Sequence, residues 1–164
     1  MIAVVQRVAR GAVTVEGERV GSVGRGFVVL LGVAKGDGER EADYLARRVQ
    51  ELRVFEDGAG KMNLALADVG GGVLAISQFT LLAGLARGRR PEFLAAAPPE
   101  EGRRQFDEFV ARLRARGVGV ETGRFGASMQ VELVNDGPAT FVLDTRVLLG
   151  PSGPLAEREP APAG

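Results

Sequence analysis

In Gln130–Val131–Glu132–Leu133–Val134–Asn135–Asp136–Gly137–Pro138–Ala139–Thr140–Phe141–Val142–Leu143, two runs suited to strands surround a Gly-Pro step. Gln130–Val134 and Thr140–Leu143 carry the β-branched and aromatic residues that favour a pleated surface. Proline has no N–H to give a ladder and glycine adds freedom, so the backbone between them must do something other than pair. Gly-Pro is also one of the few steps at which a cis peptide is tolerated. Its ordinary use is a turn between paired strands.

Working outward, the chain alternates strands with two clear helices. Ile2–Val8 and Ala12–Val15 read as strands, and Glu16–Gly17–Glu18 turns the chain into Arg19–Val23, a hairpin pattern. Phe27–Val33 is an unbroken apolar run of strand length, which predicts a central strand buried on both faces. Ala42, Leu45, Val49 and Leu52 form one stripe at helical spacing, predicting a helix over 39–52. Arg53–Phe55 is then a short strand, followed by a tight turn at Asp57–Gly60. Val73–Ile76 is a further strand.

The second helix carries stronger punctuation. Pro98–Pro99 precede it, Glu100 and Glu101 sit in its first turn, and Arg112, Arg114 and Arg116 approach its end. Phe106, Phe109, Val110 and Leu113 form its buried face, and Gly117 is placed to close it. Val118–Val120 reads as a strand. Four of the eight prolines lie in the last fourteen residues, so the segment 147–164 is expected to be a mobile tail behind a single domain over 1–146. The fold class is α+β, with layered or barrel-like β-sheet flanked by two main helices.

Composition narrows the chemistry. The 164 residues contain no cysteine and no histidine. Disulfides, thiolate catalysis and sulfur-ligated zinc are excluded, and the usual general base is missing. Neither a metal nor a cofactor is expected. The 21 basic and 21 acidic side chains cancel, so no global field draws in nucleic acid and any RNA contact must be local. Arg87, Arg89 and Arg90 beside Pro91 form a compact basic cluster, which reads as a solvated loop or as a phosphate contact. No apolar run is long enough for a membrane-spanning helix, and the first residues already read as a strand. A cytoplasmic protein is expected.

Ser77–Gln78–Phe79–Thr80–Leu81 follows the strand Val73–Ile76. Hydroxyl residues at a strand end usually satisfy local amides. The alternative is that this strand end presents backbone N–H groups and Thr80 to a ligand. As a nucleophile, Thr80 would need an activating base, and the chain offers no histidine and only Lys35 and Lys61 as lysines.

These segments, taken with Ala3–Val8, Phe55–Asp57, Lys61–Leu64, Gly88–Pro91 and Gly123–Met129, resemble the D-aminoacyl-tRNA deacylases. The resemblance covers roughly residues 1–145. It implies hydrolysis of the ester between a D-amino acid, or a mischarged glycine, and tRNA. It places Ser77, Gln78, Phe79 and Thr80 in the catalytic pocket, and Phe125, Met129, Gly137 and Pro138 in substrate binding and chiral selection. It implies a cis Gly137–Pro138 bond that enters the partner's pocket in a homodimer, and it favours tRNA contact for Arg87, Arg89 and Arg90.

An aminoacyl ester is already labile, so substrate-assisted hydrolysis needs little from the protein. Backbone amides of Phe79 and Thr80 polarising the carbonyl would supply about 3 kcal/mol per donor. A threonine ester intermediate is the competing route. Two other function classes stay open from the residues alone: a non-catalytic module binding an RNA end or a small ligand, and a threonine-nucleophile esterase of small molecules. Aminoacyl-tRNA is the expected partner, with neither DNA nor membrane.

Overall fold

The computed structural model describes residues 1–86 and 88–150. The expected mobile tail falls largely on residues 151–164 and lies outside the described residues, as does Arg87. The elements in chain order are β1 (Ile2–Val15), β2 (Glu18–Val23), β3 (Gly26–Gly32), α1 (Glu39–Glu51), β4 (Phe55–Glu56), β5 (Met62–Leu64), β6 (Gly72–Ser77), α2 (Pro99–Ala115), β7 (Val120–Thr122), β8 (Gln130–Asp144) and α3 (Thr145–Leu148). Short 3-10 turns occupy Ala67–Val69 and Phe79–Leu82.

The principal sheet runs β2-β1-β3-β6-β7, with β8 on the other side of β1. β1 is antiparallel to β2, β3 and β8, whereas β3, β6 and β7 are parallel. Parallel neighbours need crossovers. The β3–β6 crossover carries α1 and the small β4–β5 hairpin, and the β6–β7 crossover carries α2. The sheet curls into a nearly closed barrel because β2 meets β7. Ser22 N–H donates to Glu121 Oε2 at 2.6 Å, and a Cβ on Gly21 would sit 2.6 Å from the Thr122 carbonyl oxygen.

Alternation along β3 and β6 explains why both are apolar throughout. Phe27, Val29, Leu31, Val73 and Ala75 face the helices, where they join Leu45, Val49, Phe106, Phe109 and Leu113 in the main core. Val28, Leu74 and Ile76 face inward to a second core with Val8 and Val13. The two-sided burial expected of Phe27–Val33 is found. The Glu41 carboxylate accepts the Gly38 N–H at 2.9 Å, securing the start of α1. α2 ends as its sequence indicates: Gly117 takes φ +81, its N–H reaches the Arg114 carbonyl, and Val118 N–H reaches that of Leu113.

Several sequence boundaries are corrected. Ile2–Val8 and Ala12–Val15 are one strand, and so are Gln130–Val134 and Thr140–Leu143. Each of these two long strands is held by the other, with register shifts between Gln6 and Val8 and between Val8 and Arg10. Such bulges let a curved strand absorb extra residues without losing its partner. The strand expected at 118–120 lies at Val120–Thr122, because Val118 is taken up in the α2 cap. Phe55–Glu56, rather than residues 53–55, pairs with β5, whose existence has no strong alternation to announce it. Helix α3 spans residues 145–148, and Leu149 behind it is buried.

Candidate active site

β6 delivers Ser77 to the edge of a cavity of about 490 Å³, within the size range of small-molecule sites. At the strand end, Gln78 N–H donates to the Leu31 carbonyl at 2.8 Å, extending the β3–β6 pairing by one residue. The chain then turns into the 3-10 segment Phe79–Leu82, whose first bond runs from Leu81 N–H to the Gln78 carbonyl at 3.2 Å. The amides of Phe79 and Thr80 open this turn, so its own ladder has no acceptor for them. Gln78 Nε2 donates to Thr80 Oγ1 at 2.5 Å. The hydroxyl oxygen therefore accepts, and its proton is free for a ligand.

Four segments wall the cavity. Leu31 and Val33 come from the end of β3 and the residue just past it, Ile76 to Phe79 from β6 and its turn, Phe93 to Phe106 from the approach to α2 and its first turns, and Phe125 to Val131 from the β7–β8 connection and the start of β8. Phe79 packs edge-on against Phe93 with centroids 4.9 Å apart, and Phe106 lies 6.3 Å from Phe125. Gly123 lets Met129 close in: a Cβ there would sit 2.5 Å from the Met129 sulfur. Among the described residues, no lining residue is an acid, a base, a thiol or a phenol. Whatever happens in this cavity draws its proton chemistry from elsewhere.

The structure thus brings Ser77, Gln78, Phe79, Phe125 and Met129 around one space, with Thr80 exposed beside Gln78. It leaves Gly137 and Pro138 out of that space. They are exposed on β8, the Gly137–Pro138 bond is cis, and residues 136–139 have no partner in the β1 ladder. Arg89 and Arg90 are exposed in the loop closed by the Gly84–Glu92 bridge.

Sequence reasoning missed the residue that fixes the Gly-Pro segment. Arg7 is 4% exposed, with Nε donating to the Asp136 carbonyl at 2.6 Å and Nη1 donating to the Val54 carbonyl. Its signal was phase: Arg7 follows Ala3 and Val5 at intervals of two, on the helix-covered face of an alternating strand. Gln6 assists from the other face, donating to Asn135 Oδ1 at 2.7 Å and accepting from Thr140 Oγ1 at 3.0 Å. Together these side chains brace both flanks of the unpaired segment. Phe93, also unremarked in the sequence, completes the aromatic wall.

The model of the D-Tyr-tRNA(Tyr) deacylase family matches residues 4–144. The chain belongs to this deacylase family. It is 58% identical over 144 residues to the D-aminoacyl-tRNA deacylase of Pelobacter propionicus, covering 88% of this chain and 99% of that one. It is 59% identical over 145 residues to the D-aminoacyl-tRNA deacylase of Lacticaseibacillus casei, covering 88% and 98%. Among solved structures, it matches the c-Myc DNA Unwinding Element Binding Protein with a TM-score of 0.82 and 40% identity, over 88% of this chain and 98% of that one. A probable eukaryotic D-amino acid tRNA deacylase shares the fold with a TM-score of 0.74 and 17% identity, over 87% and 97%.

D-aminoacyl-tRNA deacylases hydrolyse the aminoacyl-tRNA ester, and a site without side-chain acids or bases is compatible with that chemistry. Among the described residues, no helix is long and apolar enough to cross a membrane.

Proposed function

We propose that the protein deacylates D-aminoacyl-tRNA without a covalent intermediate, using backbone donors and groups of the substrate. The observation that carries this reading is the cavity wall, which among the described residues holds aromatic, aliphatic, hydroxyl and amide groups but no titratable side chain. The terminal adenosine fills the apolar space between Phe106, Phe125 and Met129. Its ester lies at the Ser77–Thr80 end, where the Phe79 and Thr80 amides face the carbonyl oxygen. Water adds to the carbonyl carbon, the C–O bond to the ribose breaks, and the 3′-oxygen leaves with the water's proton, relayed through the vicinal 2′-hydroxyl. Fixing water and ester in register supplies much of the remaining acceleration.

Chirality is judged by backbone. A site that accepts many D-residues cannot use a shaped side-chain pocket, but it can fill the direction an L-side chain would take. Gly137–Pro138 of a second copy fills it, which explains why these residues are exposed and outside their own chain's cavity. The outer edge of β8 pairs with no strand among the described residues, and Leu133 and Val134 are each 39% exposed, consistent with a homodimer. Glycine has no side chain to exclude, so glycyl-tRNA is also a substrate. Arg87, Arg89 and Arg90 contact the tRNA backbone, residues 1–146 form the catalytic domain, and the enzyme acts in the cytoplasm, where its substrates are made.

The test is deacylation of matched D-, L- and glycyl-tRNA by the purified protein. D- and glycyl-tRNA are expected to turn over and L-aminoacyl-tRNA to persist. Binding without turnover would make the protein an RNA-end module; turnover of small D-amino acid esters alone would make it a small-molecule esterase.

A further inference from the structure

Arg103 stands one residue beyond Gly102, which lines the cavity, in the first turns of α2. Carboxylates three or four residues away on a helix are the usual partners of an exposed arginine. Glu100 and Asp107 occupy those positions, yet Arg103 pairs with neither among the described residues. Its guanidinium instead lies over the Phe125 ring, 5.5 Å from the centroid. Its neighbour Arg104 behaves in the ordinary way, bonded to Glu101 at 2.7 Å. An exposed cation is thus held against the outer aromatic wall of the site, with its charge uncompensated by an ion pair.

Resting on the proposed activity, we infer that Arg103 is a phosphate anchor for the 3′ end of the RNA. The terminal nucleoside inside the cavity has Phe125 as a wall, and the phosphodiester that joins it to the rest of the RNA must pass the cavity rim. A guanidinium held on that wall meets a phosphate oxygen there with charge-assisted hydrogen bonds. The ring contact limits the arginine's freedom beforehand, so less is lost on binding. This contact would also separate a nucleic acid ester from a small-molecule ester, which no cavity-lining group among the described residues does by charge.

The experiment compares wild type with Arg103→Gln, Arg103→Lys and the control Arg104→Gln. Each is assayed on D-aminoacyl-tRNA and on 3′-O-(D-aminoacyl)adenosine, which has no phosphate. Arg103→Gln is expected to raise KM for the tRNA severalfold with kcat unchanged, and to flatten the dependence of log KM on log salt by about 0.7 for one single-strand phosphate. The adenosine ester should be unaffected, Arg103→Lys should restore most of the salt slope, and Arg104→Gln should match wild type. Equal losses on both substrates would reduce Arg103 to a prop for Phe125, and an unchanged tRNA profile would remove the anchor while leaving the activity intact. Failure of the wild type to turn over either ester would overturn the activity itself.

Discussion

Arg7 Nε donates to the main-chain carbonyl of Asp136 at 2.6 Å, linking residues 129 apart in the chain. Asp136 immediately precedes Gly137, so a buried side chain of β1 sets where the unpaired segment of β8 projects. Arg7 does not touch the cavity and acts through that segment. It is a positioning residue.

Arg7→Lys keeps a charge but loses the planar fork that reaches two carbonyls at once. Leaving either carbonyl unsatisfied costs about 1–3 kcal/mol, so the melting temperature should fall while the protein remains folded. If the segment selects substrate, kcat on D-aminoacyl-tRNA should fall on the order of tenfold to a hundredfold, and the D-to-L rate ratio should narrow. A lower melting temperature with the ratio unchanged would limit Arg7 to stability.

Gly137→Ala tests the segment directly. The added Cβ would stand 2.7 Å from the Ala139 amide nitrogen and would also press on the Asn135 side chain, so the local backbone must shift. Gly137 and Pro138 are exposed and outside the ladder, which confines the damage. Turnover of D-aminoacyl-tRNA is expected to drop with tRNA binding retained. Full activity and unchanged chirality would make the segment an ordinary irregularity of β8.

The cavity's lack of titratable groups predicts the behaviour of Thr80. Its oxygen accepts from Gln78 and no base adjoins it in the cavity lining, so Thr80→Ala should keep substantial activity. A substrate ending in 2′-deoxyadenosine should lose more. The kcat–pH profile should lack the bell of a protein acid–base pair. A trapped acyl-enzyme, with complete loss in Thr80→Ala, would establish covalent catalysis instead.

Neutralising Arg89 and Arg90 should weaken tRNA binding and reduce the salt slope by roughly one unit per lost phosphate contact. Turnover at saturating substrate should hardly change. A KM insensitive to salt in both wild type and variant would return the loop to mere solvation.

Acid stability follows from the α1–α2 ion pairs. Burial pushes the Asp43 carboxyl up, but its hydrogen bonds and charge interactions with Arg112 and Arg116 outweigh this and hold it below the usual range. The Arg146 hydrogen bonds hold Asp144 low in the same sense. A carboxyl lowered in the folded state stabilises above its unfolded pKa of about 3.9 and loses that contribution as pH falls through the folded value. Asp43→Asn should therefore be less stable than wild type at pH 7 and show a shallower loss below about pH 4, measured by urea unfolding.

Local patterns in the chain sufficed for some of this. The two-sided burial of Phe27–Val33, the stripe of α1 and the caps of α2 are written in nearest-neighbour chemistry, because period and capping depend on residues within a turn or two. The Ser77–Thr80 segment was recognisable for the same reason, as a strand end rich in polar groups. Tertiary structure alone decided that Gln130–Val134 and Thr140–Leu143 are one strand, since the continuity is supplied by β1, more than a hundred residues away. It alone assembled Phe93, Phe106 and Phe125 around one cavity and aimed Arg7 at the Asp136 carbonyl. Those relations depend on the curl of the sheet, which brings distant segments together by pairing and packing that no local pattern encodes.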